Sequence, residues 1–357
     1  MSTKKILMKG NEVIAESAIL AGCHHYFGYP ITPQSELTAY LAKNMPKRNG
    51  VFVQAESEVA AINMVYGSGG TGVRVMTSSS SPGVSLKQEG LSYIACAEVP
   101  CLVINVVRSG PGLGNIAPAQ CDYFQAVKGG GHGDYRLVVL SPSSVQEMAD
   151  FTFLGFELAD KYRTPVMILS DGYLGQMMEP VTLPNALPES AYSVSKKPWA
   201  TTGAKGRKQN LISSIHLEPE AMEEHIKHLY SKYAQIEEKE TIWEEFQCED
   251  AEYVIVAYGI VARICKSVCT MAREKGIKIG LIRPKTLWPY PTKAIKKYAE
   301  SSKIKGFMAV ELSMGQMVED VRLAVNGKKP VEFYGRTGGV VPSSNEVFDN
   351  FKKAFKL

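Results

Sequence analysis

The chain has 357 residues, of which 45% are hydrophobic and 21% charged, and this length and composition predict a globular protein of about two domains. Its formal net charge is only +4, without a long basic stripe, which argues against nucleic acid as the main partner. No apolar run is long enough for a signal peptide or a membrane span, so we expect a cytoplasmic protein that binds no membrane. The seven cysteines are scattered and form no CxxC, so the sequence predicts no iron–sulfur cluster and no metal ligands in this chain.

Apolar strand-like runs alternate with helical patterns from the N-terminus to about residue 183. Within this alternation, a helix is predicted to begin near Ser57, with Val59, Ile62 and Tyr66 on one face, and to stop at the glycines of 67–72. The run at 101–107 is apolar throughout, as in strands that are buried on both faces. The predicted strands are 26–29, 51–54, 73–77, 101–107, 137–140 and 166–169, and the other predicted helices are 11–22, 32–46, 83–97, 122–128 and 143–162. This alternation predicts an α/β fold with a doubly wound parallel sheet.

The pattern changes after this first unit. We expect residues 1–183 to form the first domain, 184–250 a linker and charged helical arm, and 251–357 a smaller second α/β domain. In the arm, His225 and His228 lie three residues apart and share a predicted helix face. No third ligand is apparent in the sequence, so a solvated face is favoured over a metal site.

Polar side chains follow the carboxyl ends of several predicted strands, the edge of an open α/β sheet where ligands bind. Thr32 offers a hydroxyl group, Glu58 a carboxylate, and Arg108 a guanidinium that can bind a carboxylate through two parallel hydrogen bonds. Each also has a structural interpretation, since Thr32 can cap a helix, Glu58 can stabilise a helix start, and Arg108 can pair with a surface acid. Three such groups on one edge favour a binding site.

Familiar nucleotide motifs are missing or misplaced. The glycines of 67–72 follow a helix and precede a strand, which is the reverse of a dinucleotide fingerprint, so a nicotinamide dehydrogenase is disfavoured. The sequence contains neither a Walker A motif nor a GxSxG elbow.

Five stretches of the predicted first domain are distinctive: GYPITPQSE (28–36), QAESEVAAINMVYG (54–67), SSSSPG (78–83), VRSGPGLG (107–114) and KGGGHGDYR (128–136). Weaker signals in the predicted second domain are VAYGIVARICKSV (256–268), IGLIRPKTLWPYP (279–291) and ELSMGQMVEDVR (311–322). Together these stretches resemble the alpha subunit of 2-oxoacid:ferredoxin oxidoreductases, and most of all the branched-chain (2-oxoisovalerate) type, with the 2-oxoglutarate type as the close relative.

This resemblance implies a pyrimidine-type thiamine diphosphate domain followed by a transketolase C-terminal-like domain. It also implies a catalytic role for Glu58, whose carboxylate would hydrogen-bond the aminopyrimidine ring and so promote loss of the thiazolium C2 proton. Glu56 is the rival, but the spacing from the SE pair to Gly67 fits Glu58 better.

The YPITP stretch carries further implied roles. Tyr29 and Ile31 would contact the cofactor, Thr32 would contact the substrate, and Arg108 would hold the substrate carboxylate.

The implied reaction is oxidative decarboxylation of a branched-chain 2-oxoacid, with coenzyme A as co-substrate, to acyl-CoA, carbon dioxide and reduced ferredoxin. The chain lacks a GDG…N stretch for the diphosphate and clustered cysteines for electron transfer. The resemblance therefore implies thiamine diphosphate shared with a beta subunit, Mg²⁺ and [4Fe-4S] clusters on partner subunits, and gamma or delta ferredoxin-like subunits. We expect the chain to be inactive alone. A 2-oxoglutarate enzyme, a non-oxidative thiamine enzyme subunit and an inactive scaffold remain the alternatives.

Overall fold

The computed structural model describes residues 5–357, and the four residues before them lie outside the description. Its strands form three sheets of two, seven and five strands. In chain order they are β1 (Ile6–Lys9), β2 (His25–Gly28), β3 (Val51–Gln54), β4 (Val75–Ser79), β5 (Cys101–Val107), β6 (Val138–Leu140), β7 (Pro165–Asp171), β8 (Met178–Val181), β9 (Trp243–Phe246), β10 (Tyr253–Val256), β11 (Ile279–Pro284), β12 (Thr286–Trp288), β13 (Gly306–Glu311) and β14 (Val331–Gly335).

The α-helices alternate with these strands along most of the chain. They are α1 (Gly10–Leu20), α2 (Ser35–Asn44), α3 (Glu58–Gly70), α4 (Ser81–Cys96), α5 (Tyr123–Val127), α6 (Val145–Tyr162), α7 (Gly172–Gln176), α8 (Pro219–Lys239), α9 (Gly259–Glu274), α10 (Thr292–Ala299), α11 (Met317–Val325) and α12 (Ser344–Phe355).

The first sheet has the order β12-β6-β7-β5-β4-β2-β3. All its strand pairs are parallel except the β12–β6 pair. Every residue of β4, β5 and β7 is buried, as expected for strands that are covered by helices on both faces. Helix α1 packs on both α2 and α6, and α3 packs on α4. The predicted parallel α/β class is therefore confirmed.

The second sheet has the order β14-β13-β10-β11-β9 and is parallel except for β9. Each large sheet receives an edge strand from a distant part of the chain. β9 lies within the segment predicted as the arm, yet it pairs with β11, while β12 follows β11 directly and pairs with β6 of the first sheet. The backbone hydrogen bonds of these two edge strands therefore tie each large sheet to a distant part of the chain.

Helix α3 ends at Gly70, within the glycines of 67–72 at which its end was predicted. Close packing requires a small residue in this last turn, because a β-carbon at Gly69 would lie 2.6 Å from Cγ1 of Val99. Small residues therefore let this last turn approach the neighbouring chain. No helix in residues 5–357 combines the length and apolarity that crossing a bilayer requires.

Candidate active site

The first sheet changes winding direction beside β2. The chain passes from β2 to β3 on one side and then crosses back to β4 on the other side. In such sheets, the crevice outside the carboxyl ends at this reversal is the usual ligand site. Thr32 lies in the loop that follows β2, and Gly83 lies in the first turn of α4, which follows β4, so both are placed at this point.

Glu58 occupies the first position of α3, directly after its N-cap. The hydroxyl of Ser57 accepts a hydrogen bond from the backbone N–H of Ala60 at 3.1 Å and so fixes the start of the helix. Glu58 is only 6% exposed, and no donor among the described residues forms a hydrogen bond with its carboxylate. Glu56, by contrast, is exposed. Of these two carboxylates, only that of Glu58 is buried, and its oxygens can still accept hydrogen bonds.

Gly83 makes room for that carboxylate at the start of α4. A β-carbon at Gly83 would lie 2.6 Å from Oε1 of Glu58 and 2.1 Å from Oγ of Ser79, closer than any side chain can approach. The glycine of the SSSSPG loop is therefore needed for the present position of Glu58.

Lys87 lies one turn further along α4, on the same helix face as Gly83. It is fully buried, and its Nζ donates hydrogen bonds to the hydroxyl of Thr77 and to the carbonyl of Ser78. Burial lowers the pKa of Lys87 to about 7, while the negative charge of Glu58 acts in the opposite direction. The sequence pattern does not single out Lys87, the fifth residue of the predicted helix 83–97, because lysine is almost never fully buried.

Thr32 and Arg108 lie against each other, at the ends of β2 and β5. Nη1 of Arg108 donates to the carbonyl of Thr32 at 3.0 Å, and Nη2 donates to the carbonyl of Leu113 at 3.0 Å. Arg108 is 6% exposed, forms no ion pair with any described acid, and has a buried Nε without a partner. Arg108 therefore fastens the loop of residues 29–33, here called the YPITP loop, to the glycine loop of residues 108–114.

The structural alternatives proposed for these two residues do not hold. Helix α2 begins at Ser35, with Gln34 as its N-cap, so Thr32 does not cap it. Thr32 is exposed, as is Tyr29, while Ile31 is half-buried. The side chains of the YPITP loop therefore remain accessible to a ligand.

A buried polar network holds the YPITP loop from below. The hydroxyl of Tyr26 lies 2.8 Å from that of Ser78, which in turn donates to Oε1 of Gln34 at 2.7 Å. Gly28 is needed above this network, because a β-carbon there would lie 2.2 Å from the Tyr26 hydroxyl. Buried hydrogen-bond networks of this kind rigidify the loop above them, although Nε2 of Gln34 has no partner among the described residues.

An open groove of about 550 Å³ lies beside Thr32. In the described chain, its lining contains no lysine or arginine and is dominated by apolar side chains. The lining residues are Thr32, Pro33, Ile116, Pro118, Gly172, Tyr173, Gln176 and Met177.

Two protein-family models match the chain in succession. Residues 16–247 match the model described as "Pyruvate flavodoxin/ferredoxin oxidoreductase, thiamine diP-bdg". Residues 251–347 match "Pyruvate:ferredoxin oxidoreductase core domain II". Together the two matches extend over both large sheets.

Individual proteins match over most of their length. The chain is 52% identical over 333 residues to ketoisovalerate oxidoreductase subunit VorB of Methanothermobacter marburgensis, which covers 93% of each chain. It is 34% identical to 2-oxoglutarate synthase subunit KorA of the same organism, over 97% of this chain and 98% of the relative. A solved 2-oxoglutarate:ferredoxin oxidoreductase from Magnetococcus marinus, with 2-oxoglutarate, coenzyme A and succinyl-CoA bound, superposes with a TM-score of 0.86 at 28% identity. That match covers 98% of this chain, which spans 65% of the solved chain.

Proposed function

Because the chain belongs to the 2-oxoacid:ferredoxin oxidoreductase family, we propose that it supplies the pyrimidine half of a thiamine diphosphate site in an oxidoreductase for branched-chain 2-oxoacids. The observation that carries the proposal is the carboxylate of Glu58, buried at the sheet reversal and free to accept a hydrogen bond. The relatives carry different subunit letters, VorB and KorA, so the alpha-type role is argued from these residues and not from the names.

The residues fit the pyrimidine end of thiamine diphosphate. Glu58 has no competing donor in the described chain, and Gly83 leaves open space against its Oε1 atom. Glu58 would accept a hydrogen bond from the ring, and Tyr29 and Ile31 of the YPITP loop would border it. When bound, the cofactor supplies the electron sink for decarboxylation. A carboxylate screened from water holds such a hydrogen bond more strongly than an exposed one, and burial of Glu58 provides that screening.

Thr32 and Arg108 would bind the 2-oxoacid next to this point. The Thr32 hydroxyl is exposed at the groove, and the unpartnered Nε of Arg108 retains a donor. The guanidinium brings positive charge close to the substrate carboxylate, while its two other hydrogen bonds keep it from reorienting.

The groove beside Thr32 supports a branched aliphatic substrate over 2-oxoglutarate. A second carboxylate would call for a second cation, and the described lining offers none. Ile116, Pro118 and Met177 are suited to an aliphatic side chain. The higher identity to the ketoisovalerate relative, 52% against 34% for KorA, points the same way.

We further propose that a beta subunit holds the diphosphate and Mg²⁺, and that iron–sulfur partners pass electrons to ferredoxin while coenzyme A accepts the acyl group. Purified chain alone and the co-purified complex would be assayed for coenzyme A-dependent viologen reduction with 2-oxoisovalerate and with 2-oxoglutarate. We expect turnover only in the complex, with the higher kcat/KM for 2-oxoisovalerate. Turnover by the isolated chain would overturn the half-site, and a preference for 2-oxoglutarate would overturn the substrate assignment.

Assays on the complex also distinguish the proposal from the two remaining alternatives. A non-oxidative thiamine enzyme would release carbon dioxide without reducing the dye and would co-purify with no brown iron–sulfur partner. A scaffold would leave turnover unchanged when Glu58 is replaced by glutamine.

A further inference from the structure

A cavity of about 440 Å³ lies where the arm passes over the first domain, away from the YPITP loop. Cys96, His216 and His225 meet there, and one ligand atom from each lies within 4.8 Å of the other two. Cys96 is the last residue of α4, His216 precedes α8, and His225 lies in its first half. Residues more than 100 positions apart thus converge on one point.

The two imidazole rings are held in place. Their centroids are 4.6 Å apart, with an interplanar angle of 22°. Nε2 of His225 lies 2.7 Å from the carbonyl oxygen of Cys96 and donates its proton to it. A backbone carbonyl that accepts from one ring nitrogen is the usual support of a metal-bound histidine, because it leaves the other nitrogen free to bind.

His216 lacks such a partner. Its Nε2 atom is buried and forms no hydrogen bond with any described residue. An unsatisfied buried polar atom costs about 1–3 kcal/mol unless something binds it. The Sγ of Cys96 has only a long contact, 3.6 Å, to the carbonyl of Ser214. Two of the three ligand atoms are therefore poorly satisfied by the protein itself.

We propose that Cys96, His216 and His225 form a binding site for Zn²⁺ or a similar borderline divalent cation. One thiolate and two imidazoles are ligands that this class of ion prefers, and the fourth position would face the cavity, where water can occupy it. Zn–S and Zn–N bonds of about 2.3 and 2.1 Å place ligand atoms about 3.5 Å apart, so the cluster contracts slightly on binding. The Cys96 thiol releases its proton to solvent as the metal binds.

The consequence is a metal clasp between the arm and the first domain. His216 and His225 belong to the arm, whereas Cys96 belongs to the helix that begins at the SSSSPG loop. A cation that binds the folded chain more tightly than the unfolded chain raises the melting temperature, and here it would do so by holding α8 in place. This site is separate from Glu58, so its test does not depend on the proposed activity.

The test uses the full chain after removal of metals with a chelator. We expect it to retain one equivalent of Zn²⁺ after gel filtration, to gain melting temperature with Zn²⁺, and to develop a thiolate-to-metal absorption band with Co²⁺. The Cys96→Ser variant, which is nearly isosteric, should melt like the metal-free chain, lose the Co²⁺ band and bind Zn²⁺ at least about tenfold more weakly. His216→Ala should lose the same binding.

The matched control is His228→Ala. His228 lies on the same arm, 6.1 Å from the His225 ring, but pairs with Glu98 at 3.1 Å. We expect this variant to bind Zn²⁺ like the unchanged chain. Absence of stoichiometric metal, equal binding by Cys96→Ser, or loss of binding in His228→Ala alone would each overturn the site.

Discussion

Gly83 and Glu58 lie in direct contact, with only 2.6 Å between Oε1 of Glu58 and the position that a Gly83 β-carbon would take. The contact joins the start of α4 to the start of α3, the two helices that follow neighbouring loops at the sheet reversal. The position of the buried carboxylate thus depends on a residue with no side chain.

Replacing Gly83 by alanine tests this dependence. The added methyl group would push Glu58 and Ser79 apart, and overpacking of this kind costs about 1–3 kcal/mol, so thiamine diphosphate affinity of the assembled complex should fall about tenfold or more. Calorimetric titration measures this affinity. Gly67→Ala is the control, because nothing lies within 4 Å of a β-carbon there, and its affinity should stay unchanged. Equal affinity in both variants would contradict the account.

Arg108→Lys tests the link between the YPITP loop and the glycine loop. Lysine keeps the charge but cannot donate to Thr32 and Leu113 together, so both loops should exchange amide hydrogens faster. We also expect kcat/KM for the 2-oxoacid to fall about tenfold or more, as for loss of one or two charged hydrogen bonds. Arg48→Lys, at a partly exposed arginine that pairs with the buried Glu16 and lies outside both loops, should change neither measurement. Unchanged exchange in Arg108→Lys would refute the fastening role.

Lys87 should give the protein a distinctive pH dependence of stability. Its pKa is about 7 in the folded chain, because burial disfavours the charge, against about 10.4 in the unfolded chain. Between these two pKa values the unfolded chain binds more protons than the folded chain. Raising the pH therefore increases the free energy of unfolding, by up to about 1.4 kcal/mol per pH unit.

The measurement is denaturant unfolding of the chain and of Lys87→Met from pH 7 to pH 10. The unchanged chain should gain stability relative to the variant across this range. Lys43→Met, at an exposed lysine, should show no such difference. If the difference in free energy of unfolding between the unchanged chain and Lys87→Met does not change with pH, the buried amine keeps its proton and the prediction is wrong.

Arg283 joins β11 of the second sheet to helix α6, which packs on the first sheet. It is fully buried, and its Nη1 and Nη2 atoms donate to the carboxylate of Glu147 at 2.7 and 2.5 Å. Burial alone would raise the pKa of Glu147, but Arg283 outweighs it and lowers that pKa to about 2. The pair therefore stabilises the fold above pH about 4.5, and this contribution is lost as the pH falls toward 2.

Arg283→Met should lower the free energy of unfolding at pH 7 by about 3–5 kcal/mol, because it leaves the Glu147 carboxylate without its main partner. Arg263→Met removes a more exposed pair with Glu179 and should cost about 1 kcal/mol or less. Equal losses in the two variants would contradict the importance of the buried pair.

The class of the fold was predictable from sequence because each strand and helix carries its own apolar pattern. The buried face of α3 was not. The pattern of Val59, Ile62 and Tyr66 was used, but Val59 is 45% exposed, and the buried face contains Glu58 and Val65. The carboxylate of Glu58, for which we propose a functional role, occupies a buried position where helical periodicity predicts an apolar side chain, so the apolar pattern misplaces the buried face.

The sequence did not predict which distant segments of the chain pair or meet. Nothing local in β12 indicates that it pairs with β6 of the first sheet, and nothing near His225 in the sequence indicates its proximity to Cys96. The loops that carry Thr32, Glu58 and Arg108 were placed at one sheet edge because parallel strands bring their carboxyl ends together. Lys87 and Gly83 were not predicted as site residues, because their roles depend on tertiary contacts that the sequence pattern does not show.

The most direct test of the central claim compares Glu58→Gln with Glu56→Gln in the assembled complex at saturating thiamine diphosphate. The measurement is hydrogen–deuterium exchange at the thiazolium C2 position of the bound cofactor, followed by quenching and NMR. We predict that Glu58→Gln slows this exchange by about 100-fold or more with the cofactor still bound, the scale of a lost acid–base contribution, and that Glu56→Gln leaves it unchanged. Exchange at the unaltered rate in Glu58→Gln would contradict the assignment of this chain to the pyrimidine half of the site.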